Sequence, residues 1–213
     1  MFDNNYAQYY ELFNKDKNYK QEIEFVYDWA RQPSKILDLG CGTAHYWKYY
    51  PKSVEAFGIE QSQAMIDKSI YKDRILCHSM DKAVYYGKFD LVTALFDALA
   101  YVDDHSFWKR LPVRRGGYYV FDLWDKDKVK KEGFRETVKT VGSITRTIKP
   151  IFQDWTHVSL LIIVKSSSFS FIEAHKMNLY EFEDILEYAG KEFDVVDVKR
   201  TDKWQTYYKL KRK

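Results

Sequence analysis

Apolar side chains recur along this chain with two different periods. Tyr6, Tyr9, Tyr10 and Phe13 stand at i, i+3, i+4 and i+7, which predicts a short amphipathic helix near the N-terminus. Tyr19, Ile23, Val26 and Ala30 predict a second helix, broken by Pro33 and Ser34. The pattern then alternates. Short apolar runs predict strands at 35–39, 54–59, 75–78, 89–95 and 117–123, the last after a Gly116-Gly117 turn. Between them, 43–50, 62–71 and 103–111 read as helices. Such alternation implies βαβ units and a parallel sheet with right-handed crossovers. The period changes after residue 135. The stretch to 177 is rich in Thr, Val, Ile and Ser, is punctuated by Gly142, Pro150 and Ser166-Ser167-Ser168, and predicts three or four antiparallel strands. One helix returns, with Asn178 as its N-cap, Glu181 three residues on, and Leu179, Phe182, Ile185, Leu186 and Ala189 on one face. Gly190 stops it, and strands at 193–199 and 206–210 complete the sheet.

Composition narrows the classes. A chain of 213 residues with 46% hydrophobic and 31% charged residues suits one globular domain. The 18% aromatic content exceeds ordinary core needs and suits an apolar cavity or a cationic ligand as well. A net charge of only +3 weighs against nucleic acid, and the basic cluster at Lys209, Lys211, Arg212 and Lys213 reads as a solvated tail. Cys41 and Cys77 form neither metal-ligand spacing nor a disulfide framework, so no metal is expected and a reducing, cytoplasmic setting is. The first residues lack a signal peptide's pattern, and no apolar run approaches the ~20 residues of a membrane span.

The chemistry concentrates in 35–45, where an apolar strand runs into Gly40-Cys41-Gly42. Glycines there let the backbone turn sharply and lie against a ligand. A dinucleotide would bring its pyrophosphate against this turn, where Asp38 would repel it, and its fingerprint wants a glycine where His45 stands. A sulfonium and an ammonium group would instead be attracted by Asp38. Glu60 ends the next strand 20 residues after Gly40, in place to accept hydrogen bonds from a ribose, a reading preferred over that of a first-turn acid for the following helix.

Ile36 to Ala44 closely resembles the first motif of class I S-adenosylmethionine-dependent methyltransferases. Gly58-Ile59-Glu60-Gln61-Ser62 with Met65 resembles their second, Phe89-Asp90-Leu91-Val92 their fourth strand, and Gly116 to Asp122 their fifth. The resemblance implies an α/β fold: a Rossmann-like, mostly parallel sheet flanked by helices, with an antiparallel β insertion after the fifth strand. It divides a single domain into a helical cap (1–32), a cofactor-binding core (34–125), a substrate-covering insertion (133–177), and the last helix and strands (178–213). It implies S-adenosylmethionine as cofactor, held by Asp38, Gly40, Cys41, Gly42, Glu60 and Gln61, with Ser79 and Met80 at the adenine and Phe96 and Tyr19 closing the site. Tyr6-Ala7-Gln8-Tyr9-Tyr10, Leu95 to Val102 and the β-rich insertion are similar to the small-molecule N-methyltransferases, particularly those acting on sugar nucleotides. In them the first helix folds over the cofactor, which would bring Tyr6, Tyr10 or Tyr19 near the methyl group. Tyr10 and His175 are the candidate bases. Two positions depart from the pattern: Ala44 replaces a usual glycine and Ser79 a usual aspartate.

The expected acceptor is a small molecule, an amine before a hydroxyl. The segment after the fourth strand has no Pro-Pro-aromatic run for base amines, and no Pro-Cys pair serves pyrimidine chemistry. A tRNA or protein acceptor and a non-catalytic cofactor-binding protein stand as alternatives, and 133–177 reads as either a lid or the interface of a homodimer.

Overall fold

The computed structural model describes residues 4–83, 85, 87–152, 154–201 and 204–213. Its main sheet has seven strands in the order β10-β11-β5-β4-β1-β2-β3. These are β1 Lys35–Leu39, β2 Glu55–Glu60, β3 Ile75–Cys77, β4 Phe89–Ala94, β5 Val113–Trp124, β10 Phe193–Arg200 and β11 Gln205–Arg212. Strands β3, β2, β1, β4 and β5 run parallel, and β11 runs antiparallel between β5 and β10. This is the Rossmann-like arrangement. It reverses its strand order at β1, which pairs with β2 on one side and β4 on the other. A crevice opens beyond the carboxyl ends of the strands at such a reversal.

The antiparallel insertion is a separate four-stranded meander, β6 Thr137–Val141, β7 Ile144–Phe152, β8 His157–Lys165 and β9 Ser170–Asn178. Gly142, at φ 59°, makes its first turn. Burial alternates strictly along β8, where Val158, Leu160, Ile162 and Val164 face inward. On β9 the inward positions are Glu173, His175 and Met177, so two ionisable side chains sit on the covered face.

The helical segments are shorter than their apolar periods suggested. The single N-terminal helix is two, α1 Asn4–Ala7 and α2 Tyr10–Asn14, with a break at Tyr9. The break lets Tyr9 stack on Phe169 and Phe171, while Glu173 Oε1 accepts the Tyr6 N–H at 3.1 Å. Helix α3 (Tyr19–Trp29) follows, with its N-terminus capped by Asn18 and with Tyr19, Ile23 and Val26 buried. The expected helices at 43–50 and 103–111 are 3-10 turns at His45–Tyr49 and His105–Arg110, and 62–71 contracts to α4, Gln63–Asp67. Gly116-Gly117 is no turn between elements; it is an irregularity inside β5, where a Cβ on Gly117 would come within 2.7 Å of the Asp90 carbonyl.

Helix α5 (Lys126–Glu132), capped by Asp125, had no strong apolar stripe to announce it. Helix α6 (Phe182–Ala189) starts one turn later than expected. Its cap is Glu181 in a reciprocal box with Asp184, while Asn178 ends β9 and donates to the Val102 carbonyl at 2.7 Å.

Candidate functional site

Six segments meet at the strand-order reversal: the turn after β1, the end of β2, the loop after β3, the turn after β4, the start of α2, and β9. They enclose a cleft of about 350 Å³, lined among others by Gly40, Gly42, Glu60, Gln61, Ser79, Met80, Phe96, Tyr10 and His175. That volume falls in the usual range of small-ligand sites, roughly 300–1,000 Å³. A side pocket of about 30 Å³ opens from it between Tyr19, Asp38, Cys41 and Tyr46, sharing Tyr10, Gly40, Gly42 and Phe96. The ten expected cofactor residues and the two candidate bases therefore all line one of these two adjacent spaces, whereas Tyr6 lines neither.

The turn after β1 is shaped by left-handed backbone. Gly40 (φ 67°) and Gly42 (φ 57°) adopt it at little cost, and Ala44 (φ 56°) at more. A Cβ on Gly40 would lie 2.7 Å from Ala98 Cβ and 3.1 Å from Met80 Cε, so only glycine keeps the floor of the cleft open. Glu60 ties the second strand to this turn. Its Oε2 accepts the Gly42 N–H at 2.9 Å and its Oε1 the Ser62 N–H at 2.8 Å. Burial pushes its carboxyl above the ordinary range, opposed by those two donors. Both oxygens keep a further lone pair for hydroxyl donors from the cleft.

Asp38 sits deeper, 3% exposed. Its carboxylate accepts the Trp47 indole N–H at 3.0 Å and the Thr93 hydroxyl at 2.8 Å. Burial pushes its pKa to about 6, against the pull of those two hydrogen bonds. Ser79 donates to Asp81 and thus gains a carboxylate neighbour in place of the aspartate it was expected to lack.

The cover is built by contacts across the chain. Arg146 Nη1 donates to the Tyr6 hydroxyl at 2.9 Å, and Lys139 Nζ donates to the Phe13 carbonyl at 2.7 Å and pairs with Asp16 at 2.8 Å. Tyr6 is thereby held in the cover, 2% exposed and off the cleft wall. Tyr10 does line the cleft, edge-on to Phe96 at 6.4 Å, but burial pushes its phenol well above the ordinary range and keeps it protonated. Of the two candidate bases this disfavours Tyr10. His175 sits in the roof with Nε2 3.0 Å from Glu173 Oε2 and its ring 5.8 Å from Tyr101. Glu173, Tyr101 and Lys176 were missed from the sequence; the alternation Phe171, Glu173, His175, Met177 on one strand face was the signal that could have found Glu173. His105 and His157 lie elsewhere, in a surface groove beside Tyr180 and Tyr188.

Behind the cleft wall lies the turn after β4. Phe96 (φ 61°) and Asp97 (φ 60°) are both left-handed, a conformation that costs non-glycine residues about 1–2 kcal/mol each. Asp122 on β5, fully buried, accepts the Phe96 N–H at 2.6 Å, the Asp97 N–H at 3.4 Å and the Gln205 amide at 3.0 Å. Asp97 points away from the cleft and accepts the Trp124 indole N–H at 2.8 Å.

This fold is that of the S-adenosylmethionine-dependent methyltransferases. A methyltransferase of that class from Clostridium acetobutylicum superposes with a TM-score of 0.81 at 21% identity, covering 98% of each chain. CalS10, an amino pentose methyltransferase from Micromonospora echinaspora, gives 0.77 at 17% identity over 100% of this chain and 98% of its own. KedS8, a sugar N-methyltransferase from Streptoalloteichus, gives 0.71 at 20% identity over 96% and 93%. Residues 20–95, less than half of the chain, match the family model of the methionine biosynthesis protein MetW. No curated protein sequence matches it.

Proposed function

We propose that this chain transfers a methyl group from S-adenosylmethionine to a small-molecule amine, an aminosugar nucleotide being the first acceptor to test. The observation that carries the reading is the joined pair of spaces at the strand-order reversal. Glu60 lines a glycine-floored cleft, and buried Asp38 lines a side pocket that shares Gly40, Gly42, Tyr10 and Phe96 with it. Two carboxylates suit a ligand with a ribose and a cationic amino acid, and a pyrophosphate would find the Asp38 side repulsive. The fit extends to the glycines, since a Cβ on Gly40 would fill the floor. Among the similar folds, CalS10 and KedS8 are named for aminosugar and sugar N-methylation, which supports the acceptor class.

The bound cofactor supplies an electrophilic methyl group already activated by the sulfonium charge. The chain's own work is alignment and exclusion of water. Glu60 and the Gly40–Gly42 turn hold the adenosyl part, with Ser79 and Met80 toward the base. Asp38, Cys41 and Tyr19 bound the amino-acid part. Tyr10, Phe96 and Tyr101 give the acceptor an aromatic wall that suits a cationic or neutral amine. His175, oriented by Glu173, is the roof residue placed to take a proton from that amine.

Calorimetric titration with S-adenosylmethionine, S-adenosylhomocysteine and NADH tests the cofactor. Incubation with S-adenosylmethionine and a panel of amines, read as S-adenosylhomocysteine formed, tests the acceptor. Micromolar binding of both adenosyl ligands with turnover on an aminosugar nucleotide is expected. Binding without turnover on any acceptor would favour a non-catalytic binding protein, and preference for NADH would overturn the reading.

A further inference from the structure

We propose that Asp122 is a positioning residue that latches the Phe96–Asp97 turn in its left-handed conformation, and so sets the wall of the cofactor cleft from behind. The inference rests on the cofactor reading above but concerns residues outside the cleft. Three observations meet here. Phe96 and Asp97 are consecutive non-glycine residues with φ of 61° and 60°. One fully buried carboxylate accepts both of their N–H groups, at 2.6 and 3.4 Å, together with the Gln205 amide at 3.0 Å. Phe96, the residue so held, lines both the cleft and its side pocket and meets Tyr10 edge-on.

All three partners of Asp122 are donors. A proton on this carboxyl would place an O–H among three donors and remove the charge that strengthens their bonds, so the latch is tightest in the ionised state. The surroundings make that state costly. Burial raises Asp122, with Glu22 of α3 pushing further and Lys17 opposing. Tyr46 and Tyr207, whose hydroxyls donate to Glu22, complete the charged and titratable groups around it together with Asp97. Asp97 is the easier of the two carboxyls to protonate. Its Oδ1 is buried with no hydrogen-bond partner among the described residues, and burial and the Asp122 charge push it well above the carboxylate range. Of this pair Asp97 therefore takes the first proton and Asp122 the second. Acidification adds the second proton and loosens the turn.

The test combines calorimetric titration of S-adenosylhomocysteine from pH 5.5 to 8.5 with amide hydrogen exchange of the peptide spanning 95–98, on wild type and Asp122→Asn. In wild type the affinity should fall below neutrality by up to about tenfold per pH unit, the limit for one linked proton, and protection of 95–98 should fall in parallel. Asp122→Asn should bind weakly at every pH, without that acid limb, and with 95–98 exchanging fast throughout. Wild-type affinity and pH dependence in Asp122→Asn overturn the latch. So does pH-independent protection of 95–98 in wild type, a readout that needs no variant to fold. Absence of S-adenosylhomocysteine binding at any pH, with protection still falling on acidification, overturns the cofactor reading and leaves the latch standing.

Discussion

Replacing Glu60 by glutamine tests the centre of the proposed site with almost no change in volume. In the wild-type protein the two carboxylate oxygens accept the Gly42 and Ser62 N–H groups at 2.9 and 2.8 Å. A glutamine amide offers one carbonyl oxygen, so its NH2 must face one of those donors. Leaving a largely buried donor unmatched costs about 1–3 kcal/mol. A ribose whose hydroxyls donate to the same side chain loses its charge assistance too, about 1 kcal/mol or somewhat more over two bonds. The first cost falls on the folded protein with or without ligand and is read by melting; the second falls on binding, so Glu60→Gln should lower cofactor affinity by about 1–2 kcal/mol, or roughly 5- to 30-fold at 1.4 kcal/mol per decade. Calorimetric titration with S-adenosylhomocysteine at pH 8, where Glu60 is ionised, reads this directly. Thermal unfolding without ligand separates loss of binding from loss of fold. A dissociation constant within threefold of wild type would refute the assignment, because it would mean that no ligand hydroxyl uses this carboxylate.

Asp38→Asn should raise stability while weakening the cofactor. The folded pKa of about 6 lies above the ordinary value of 3.8, so the fold loses stability as pH rises from about 4 to 6, in total about 3 kcal/mol. Asparagine can still accept from Trp47 and donate to Thr93, so the variant should melt several degrees higher at pH 7.5 and bind S-adenosylhomocysteine at least tenfold more weakly; a lower melting temperature contradicts the burial argument. Gly40→Ala combines a contact at 2.7 Å from Ala98 Cβ with a backbone φ of 67°, and should reduce cofactor affinity at least a hundredfold in the same titration. Arg146→Ala removes the bond to the Tyr6 hydroxyl and the guanidinium over Phe13 at 5.0 Å, which together contribute about 1–2 kcal/mol to the cover. It should make the chain between residues 8 and 18 more sensitive to limited proteolysis while leaving the main sheet's circular dichroism unchanged.

The parallel core was legible because its signals are local. The β1 run 35–39, the glycines at 40 and 42 and the acid at 60 each state a backbone requirement within a few residues of where it is met. The helices were less so. The Tyr6–Phe13 period is real, but Tyr9 is drawn out to stack on Phe169 and Phe171, and no local signal near residue 9 announces rings 160 positions away. Asn178 reads as a cap by type, yet Val102 claims its amide, and Glu181 with Asp184 caps α6 instead. Asp122 was visible only as the end of an apolar strand. Its role depends on a turn 26 residues earlier, which apolar periodicity does not describe.

The two ends of the cleft are thus written in different ways, and this bears on how such a fold changes its acceptor. At the proposed cofactor end, Gly40, Gly42 and Glu60 lie within the single β1–β2 crossover, where the Gly40 N–H bonds the Ile59 carbonyl and the Gly42 N–H bonds Glu60. At the proposed acceptor end the wall is assembled from Tyr10, Phe96, Tyr101 and His175, on three separate segments. Their placement depends on bonds between residues 167, 140 and 76 positions apart: Tyr6 with Glu173, Tyr6 with Arg146, and Val102 with Asn178. A substitution in the cover can therefore reshape the acceptor wall without touching any bond of the cofactor turn. The exception is Phe96, which faces both spaces and is held by Asp122 from the sheet itself. Phe96 is thus fastened to the core rather than to the cover, and it shapes the side pocket from the sheet side while Tyr10 and Tyr19 shape it from the N-terminal helices.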